Sequence, residues 1–400
     1  MRRFLEISKR VQNAQFSPMR KFLPFLEKVK QKGIEVFQLQ IGQPDFEMPR
    51  EVLREIRNFQ GKVLPYTNST GIEELKEAWQ KYYQSVGIKV NVSDIIITAG
   101  ASEAILISFL IVCDPGEELV VFEPFFPAYN TFATLTNLKL KPIRTFPSNG
   151  FHLPKKEEIL KKIGKKTKGI LICNPNNPTG TVYTKKELKT IVQIAKEKNL
   201  FVLSDETYRE FVFEGKHYSI LNFSEIKDRA ILIDSASKRF NVCGARIGCL
   251  VSKNKKIIEG ATKIAQARLS LPKVEQMAIV PLLKNPTKYV EKIFKEYKKR
   301  REVVMQALKK IPEISWVKPE GTYYALLKLP IKNSDHFAKW LLTEFSLKGK
   351  TVLVTPAAEF YATPGLGQDE IRIAFVLPPK KLKEAIKILG EGLREYRKHF

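Results

Sequence analysis

Read from the N-terminus, apolar positions first recur at helical spacing over residues 19–32, after a polar arm, and Gly33 closes that stretch. From about Pro49 onward the pattern alternates. Amphipathic or apolar runs at 72–86, 103–112, 185–198 and 253–265 predict helices. Short, nearly continuous apolar runs at 95–98, 119–122, 169–173, 200–204, 230–234 and 247–251 predict strands, with Gly87, Gly100 and Asp114-Pro115-Gly116 as punctuation. Strands of this kind alternating with helices predict an α/β fold, a mostly parallel sheet covered by helices on both faces.

After about Leu271 the rhythm changes. A long charged helical pattern at 289–311 precedes short strands at 323–329, 351–354 and 371–375 and helices at 335–345 and 380–397. That pattern predicts a smaller α+β domain. The expected division is an N-terminal arm and helix over 1–45 that joins the small domain, a large domain over 46–285 and the small domain over 286–400. No internal repeat or low-complexity linker interrupts the chain, so the two units are expected to pack together.

With 400 residues, 44% of them hydrophobic and 10% aromatic, the chain can fill two cores, which excludes a disordered or collagen-like protein. The formal net charge of +26 attracts phosphates and acidic small molecules and raises the question of nucleic acid. The basic residues, however, are spread along the chain. The densest runs, 155–168 and 292–301, are interleaved with Glu or apolar residues at helical spacing, and no RNP-like motif, zinc-finger spacing or basic tail is present. A solvated, Lys-rich surface is therefore favoured over a nucleic-acid-binding regulator. Cys113, Cys173, Cys243 and Cys249 form no CxxC pair and lie in or beside apolar stretches, so neither a disulfide framework nor a metal site is expected. The longest apolar run, 105–113, is too short to span a membrane, and the first residues lack the apolar core of a secretory signal. A cytoplasmic location is expected.

The loops that follow the predicted strands carry the unusual chemistry, which is where open α/β sheets bind ligands. Thr98-Ala99-Gly100-Ala101-Ser102 joins a strand to a helix and offers free backbone N–H groups to an anion, although small residues there also serve tight packing. Asn174-Pro175-Asn176-Asn177-Pro178-Thr179-Gly180 makes a rigid turn with amide side chains to spare. Asp205 ends an apolar strand and needs a cationic or donor partner, unless it merely caps the next helix. Ser235-Ala236-Ser237-Lys238 is followed eight positions after the lysine by Arg246, a pattern of hydroxyls and guanidinium beside an amine.

In order and spacing, Asn174–Gly180, Ser204–Tyr208 and Ser235–Gly248 resemble the pyridoxal-phosphate aminotransferases of the class I/II group. Gly42-Gln43-Pro44-Asp45-Phe46, Tyr66-Thr67 with Gly71, and Glu370-Ile371-Arg372-Ile373-Ala374 extend the resemblance over roughly 330 residues, and the aspartate aminotransferase-like branch is the most similar. The resemblance implies a fold-type-I large domain with a mostly parallel seven-stranded sheet, pyridoxal 5′-phosphate as cofactor and a homodimer with shared sites. It implies that Lys238 forms the Schiff base with the cofactor and then moves the substrate proton. Asp205 would pair with the pyridine nitrogen, Asn177 and Tyr208 would bond the phenolic oxygen, and Phe126 would stack on the ring. Ala101, Ser102, Ser235, Ser237 and Arg246 would hold the phosphate, with Tyr66 reaching in from the other subunit. Arg372, helped by the Gly42 backbone, would clamp the α-carboxylate of the substrate.

The expected reaction moves an amino group from an L-amino acid, aspartate favoured, to 2-oxoglutarate. Aromatic or alanine-type transamination and C–S β-lyase chemistry share these motifs. The residue that reads a distal carboxylate is not fixed by any motif. Arg268 is one candidate, reaching across the dimer, although it could equally close the helix before it; Arg20 in the arm is a second.

Overall fold

Strands buried on both faces need apolar cover above and below, and the chain supplies it in alternating layers. The computed structural model describes residues 5–400. Strand β1 (Glu35–Gln38) belongs to a separate two-stranded ribbon. The following strands, β2 (Ile95–Thr98), β3 (Glu118–Glu123), β4 (Lys139–Arg144), β5 (Thr167–Cys173), β6 (Phe201–Asp205), β7 (Ala230–Ser235) and β8 (Gly248–Val251), form one seven-stranded sheet in the order β2-β8-β7-β6-β5-β3-β4. Only β8 runs against its neighbours; β3 to β7 pair in parallel.

Because side chains alternate along a strand, each strand feeds two cores. Ile95, Ile97, Val120, Ile170, Val202 and Leu232 point into one, covered by helices Glu73–Ser85, Lys185–Glu197 and Lys273–Lys284. Ile96, Val121, Leu171, Leu203, Ile233 and Leu250 point into the other, under helices Ala101–Val112, Ala128–Thr136 and Lys255–Arg268.

The rest of the chain forms a separate core. Strands β9 (Ser315–Trp316), β10 (Tyr324–Lys328), β11 (Lys350–Leu353), β12 (Thr355–Pro356) and β13 (Glu370–Ala374) follow in sequence. Four of them make an antiparallel sheet, β12-β13-β10-β9, while β11 pairs in parallel with β1. Phe22, Leu26, Val29, Phe37 and Leu39 from the N-terminal segment pack into this core beside helices Thr287–Leu308, Ser334–Thr343 and Pro379–His399. Among the described residues no helix is long and apolar enough to cross a membrane. The parallel strands deliver their following loops to one edge of the large sheet, where Gly42 and Arg372 face them across a cleft.

Candidate active site

The cleft is a cavity of about 620 Å³. Of the site residues predicted from the sequence, all but two line it. Tyr66 is 81% exposed and lies outside the cavity. Arg268 ends helix Lys255–Arg268 and also lies outside it, donating to Glu103 Oε2 at 2.7 Å and to the carbonyls of Ser69 and Ile97.

One end of the cavity is built for an anion. After β2, Gly100 turns the chain with φ of +76°, and helix Ala101–Val112 begins at the cavity wall, which Ala101 and Ser102 of its first turn line. A Cβ on Gly100 would meet Arg246 Nη2 at 2.7 Å, so the glycine makes room for that guanidinium. Arg246 itself sits at φ +55° and donates to the carbonyls of Ala99 (3.1 Å) and Cys243 (3.2 Å). Beside it, Ser235 Oγ donates to Ser237 Oγ at 2.9 Å and accepts from the Ser237 N–H. Two hydroxyls, a guanidinium and a helix start converge on one spot.

At the floor, Asp205 ends β6. Its carboxylate accepts from Tyr129 Oη (2.8 Å), Thr207 Oγ1 (2.7 Å) and the Thr207 N–H (3.2 Å). Among the described residues no cation pairs with it, and burial pushes its pKa up. Lys238 lies in the short helix Ala236–Arg239 after β7, and its Nζ donates to Gly42 O at 2.8 Å with Cys243 Sγ at 3.8 Å. Opposite, Arg372 of β13 donates to Asn177 Oδ1 (3.1 Å) and Gln40 O (2.6 Å), and its Nε has no partner. Its guanidinium lies 4.2 Å from the Tyr324 ring centroid, and burial lowers its pKa.

Residues 34–389 match the family model for aminotransferase class I and II. The chain belongs to this family. An aspartate aminotransferase of Pyrococcus horikoshii is 34% identical over 366 residues, covering 90% of this chain and 91% of its own. The structure of an aspartate aminotransferase from Thermus thermophilus with maleate superposes with a TM-score of 0.88 at 26% identity, over 97% of this chain and 100% of that one. An alanine aminotransferase from Pyrococcus furiosus superposes with a TM-score of 0.89 at 29% identity, over 98% and 100%.

This aminotransferase also places residues at the site that sequence reasoning did not single out. Tyr129 holds Asp205 from helix Ala128–Thr136 and lies edge-on to Phe126, 5.7 Å between centroids. Tyr324 of β10 shares a 2.8 Å hydrogen bond with Tyr208, whose phenol burial pushes up in pKa, and stacks on Arg372. Gln40 contributes only its carbonyl to Arg372, so no side-chain signal marks it. An aromatic pair in Thr322-Tyr323-Tyr324 was the one visible hint of Tyr324, and it reads as core.

Proposed function

We propose that this aminotransferase binds pyridoxal 5′-phosphate in the cleft, takes L-aspartate as amino donor and 2-oxoglutarate as acceptor, and works as a homodimer. The observation that carries the reading is a pair of buried charges without counter-charge, Asp205 and Arg372, open to the same cavity as Lys238. A burial of this kind is costly unless a ligand supplies the partner.

The residues fit the cofactor. The Gly100 turn, Ser235, Ser237 and Arg246, with the Ala101 and Ser102 N–H groups, would hold its phosphate. Phe126 would cover a ring face, Asn177 and Tyr208 would bond the phenolic oxygen, and Asp205 would answer a protonated ring nitrogen. Bound there, pyridoxal phosphate would supply an electrophilic carbonyl carbon for the amino group and a cationic ring that acidifies the substrate Cα–H bond. Lys238 Nζ, kept at the cavity wall by its hydrogen bond to Gly42 O, would as the neutral amine take the proton from the substrate Cα and give it back as the acid. Arg372 would bind the α-carboxylate through its guanidinium and so set which bond at Cα faces the amine. Tyr66, exposed in its own subunit, would reach the phosphate of the partner's site.

Aspartate is favoured by the names of the relatives, including a structure with the dicarboxylate maleate. The alanine enzyme of Pyrococcus furiosus, with equal structural likeness, favours alanine as the second reading. The test is a titration of the protein loaded with pyridoxal phosphate. L-aspartate should bleach its visible absorbance and 2-oxoglutarate should restore it, and Lys238→Ala should abolish both responses. Retention of the band and the turnover in Lys238→Ala would overturn the assignment, and bleaching by alanine alone would replace the substrate.

A further inference from the structure

Four cations line the cavity, Arg20, Lys238, Arg246 and Arg372, against one carboxylate, Asp205. Three of the four already have acceptors in the chain: Lys238 the Gly42 carbonyl, Arg246 the Ala99 and Cys243 carbonyls, and Arg372 the Gln40 carbonyl and Asn177 Oδ1. In the proposed reaction Arg246 and Arg372 also have ligand partners, the phosphate and the α-carboxylate, and Lys238 is used as the amine that moves the proton. Arg20 is different. Among the described residues its guanidinium has neither a hydrogen bond nor an ion pair, and it is exposed at the mouth of the cavity.

The segment that carries it is nonetheless anchored. Pro18 and Phe22 on either side are buried. Gln15 donates to the Pro127 carbonyl at 3.1 Å, and Lys21 forms ion pairs with Glu359 at 2.6 Å and with Asp335. A cation presented by a fixed segment, facing a ligand cavity and left without counter-charge, has an excess charge that a ligand can meet.

We propose that Arg20 reads the distal carboxylate of a dicarboxylic substrate. The proposal rests on Arg372 holding the α-carboxylate. With that end fixed, the substrate side chain is the part left to point toward the cavity mouth, and a planar guanidinium there can take a second carboxylate in a forked pair. A side chain as short and neutral as that of alanine gains nothing from it. Arg268 is a poorer reader within its own subunit, because its charge is already neutralised by Glu103 and freeing it would strand that carboxylate.

The test compares Arg20→Gln, Arg20→Lys and Arg268→Ala with the wild type, each loaded with pyridoxal phosphate. In Arg20→Gln, kcat/KM for aspartate should fall roughly 10- to 100-fold, the range for one charge-assisted hydrogen bond, with most of the change in KM. Alanine should stay within about twofold, because its interactions with Arg372 are untouched. Arg20→Lys should recover part of the loss. The Kd for maleate, measured by calorimetry without turnover, should rise by the same factor as the KM for aspartate. Equal effects on aspartate and alanine would overturn the proposal. So would loss of the aspartate preference in Arg268→Ala with Arg20→Gln unaffected, or a wild type that uses alanine and no dicarboxylate. A wild type that accepts no amino donor at all would overturn the proposed function itself, a result distinct from the others.

Discussion

Gly42→Ala is expected to disturb the proposed carboxylate clamp from one side of it. An ideal Cβ on Gly42 would lie 2.5 Å from Tyr324 Cζ and 2.8 Å from Cε1, and closer still to the hydroxyl. Neither group has an easy retreat: the Tyr324 ring is 2% exposed, bonded through its hydroxyl to Tyr208 and stacked on Arg372. Forcing a methyl group into such a contact costs about 1–3 kcal/mol. Tyr324→Phe alone removes the buried hydroxyl pair and leaves the Tyr208 phenol without its partner, a loss of about 1–3 kcal/mol. The double substitution should cost less than the two together, because the most severe overlap is with the hydroxyl that Phe lacks. The relief is only partial, since the overlap with Cζ remains, and a coupling of about 1 kcal/mol is expected. Urea unfolding of the four proteins measures it. In parallel, KM should rise for aspartate and alanine alike in Gly42→Ala, because a displaced Tyr324 ring moves the Arg372 guanidinium that both substrates would use. Additivity within about 0.5 kcal/mol would refute the contact as drawn, and an unchanged KM would separate Tyr324 from the clamp.

Gly100→Ala places a side chain at φ +76° and a Cβ against the Arg246 guanidinium; it should weaken pyridoxal phosphate binding about tenfold, roughly one charge-assisted hydrogen bond, in an absorbance titration, and an unaltered Kd would count against the anion cradle. His152 lies between Glu187 (3.0 Å) and Glu320 (3.3 Å), and the hydrogen bond to Glu187 does most to hold its pKa up to about 10 from 6.5. A pKa raised by folding gives stability that is complete below pH 6.5 and disappears as the pH climbs toward 10. The wild type should therefore lose about 1–2 kcal/mol across that window, an amount reduced for partial exposure, and His152→Gln should flatten the slope; parallel slopes in urea unfolding would refute the pairing.

The fold was most legible where burial is complete. β5, β6 and β7 are covered on both faces, so their apolar runs are nearly continuous and show in the sequence without any partner. β4 was not predicted, because an edge strand of the composition Lys139-Leu140-Lys141-Pro142-Ile143-Arg144 carries three cations and a proline and buries little. Helix Lys273–Lys284 was hidden by Pro281 within it. The helix expected over 253–265 instead starts at Lys255, because the Asn254 side chain caps the Lys256 N–H, and runs on to Arg268, where Leu269 at φ +77° ends it. The site followed the same logic. Loops such as Asn174–Gly180 and Ser235–Lys238 concentrate several reactive groups in a few positions and stand out from packing. Tyr129, Tyr324 and Gln40 are single residues in regular elements or beside them, and their partners Asp205, Tyr208 and Arg372 lie 76, 116 and 332 positions away.

Once side chains are placed, a simple criterion finds the site without motifs: a buried charge that nothing in the fold neutralises. Most buried charges here are structural pairs. Arg239 is held by Asp234 at 2.9 Å, Arg300 by Asp45 at 2.6 Å, Arg301 by Glu302 at 2.8 Å, and Arg209 approaches Glu206 at 4.0 Å. Among the described residues three buried charged side chains lack such a partner: Glu123, Asp205 and Arg372. Glu123 is closed off by the backbone N–H groups of Ala362 and Thr363 and does not line the cavity, so it reads as a clasp between distant segments. Asp205 and Arg372 open onto the same space with opposite signs. A ligand that answers both must carry a cationic or N–H group at one end and an anion at the other. In the proposed reading a ring nitrogen over Asp205 and a substrate carboxylate on Arg372 would together answer both charges, so that each of the two stays costly until its own ligand is bound.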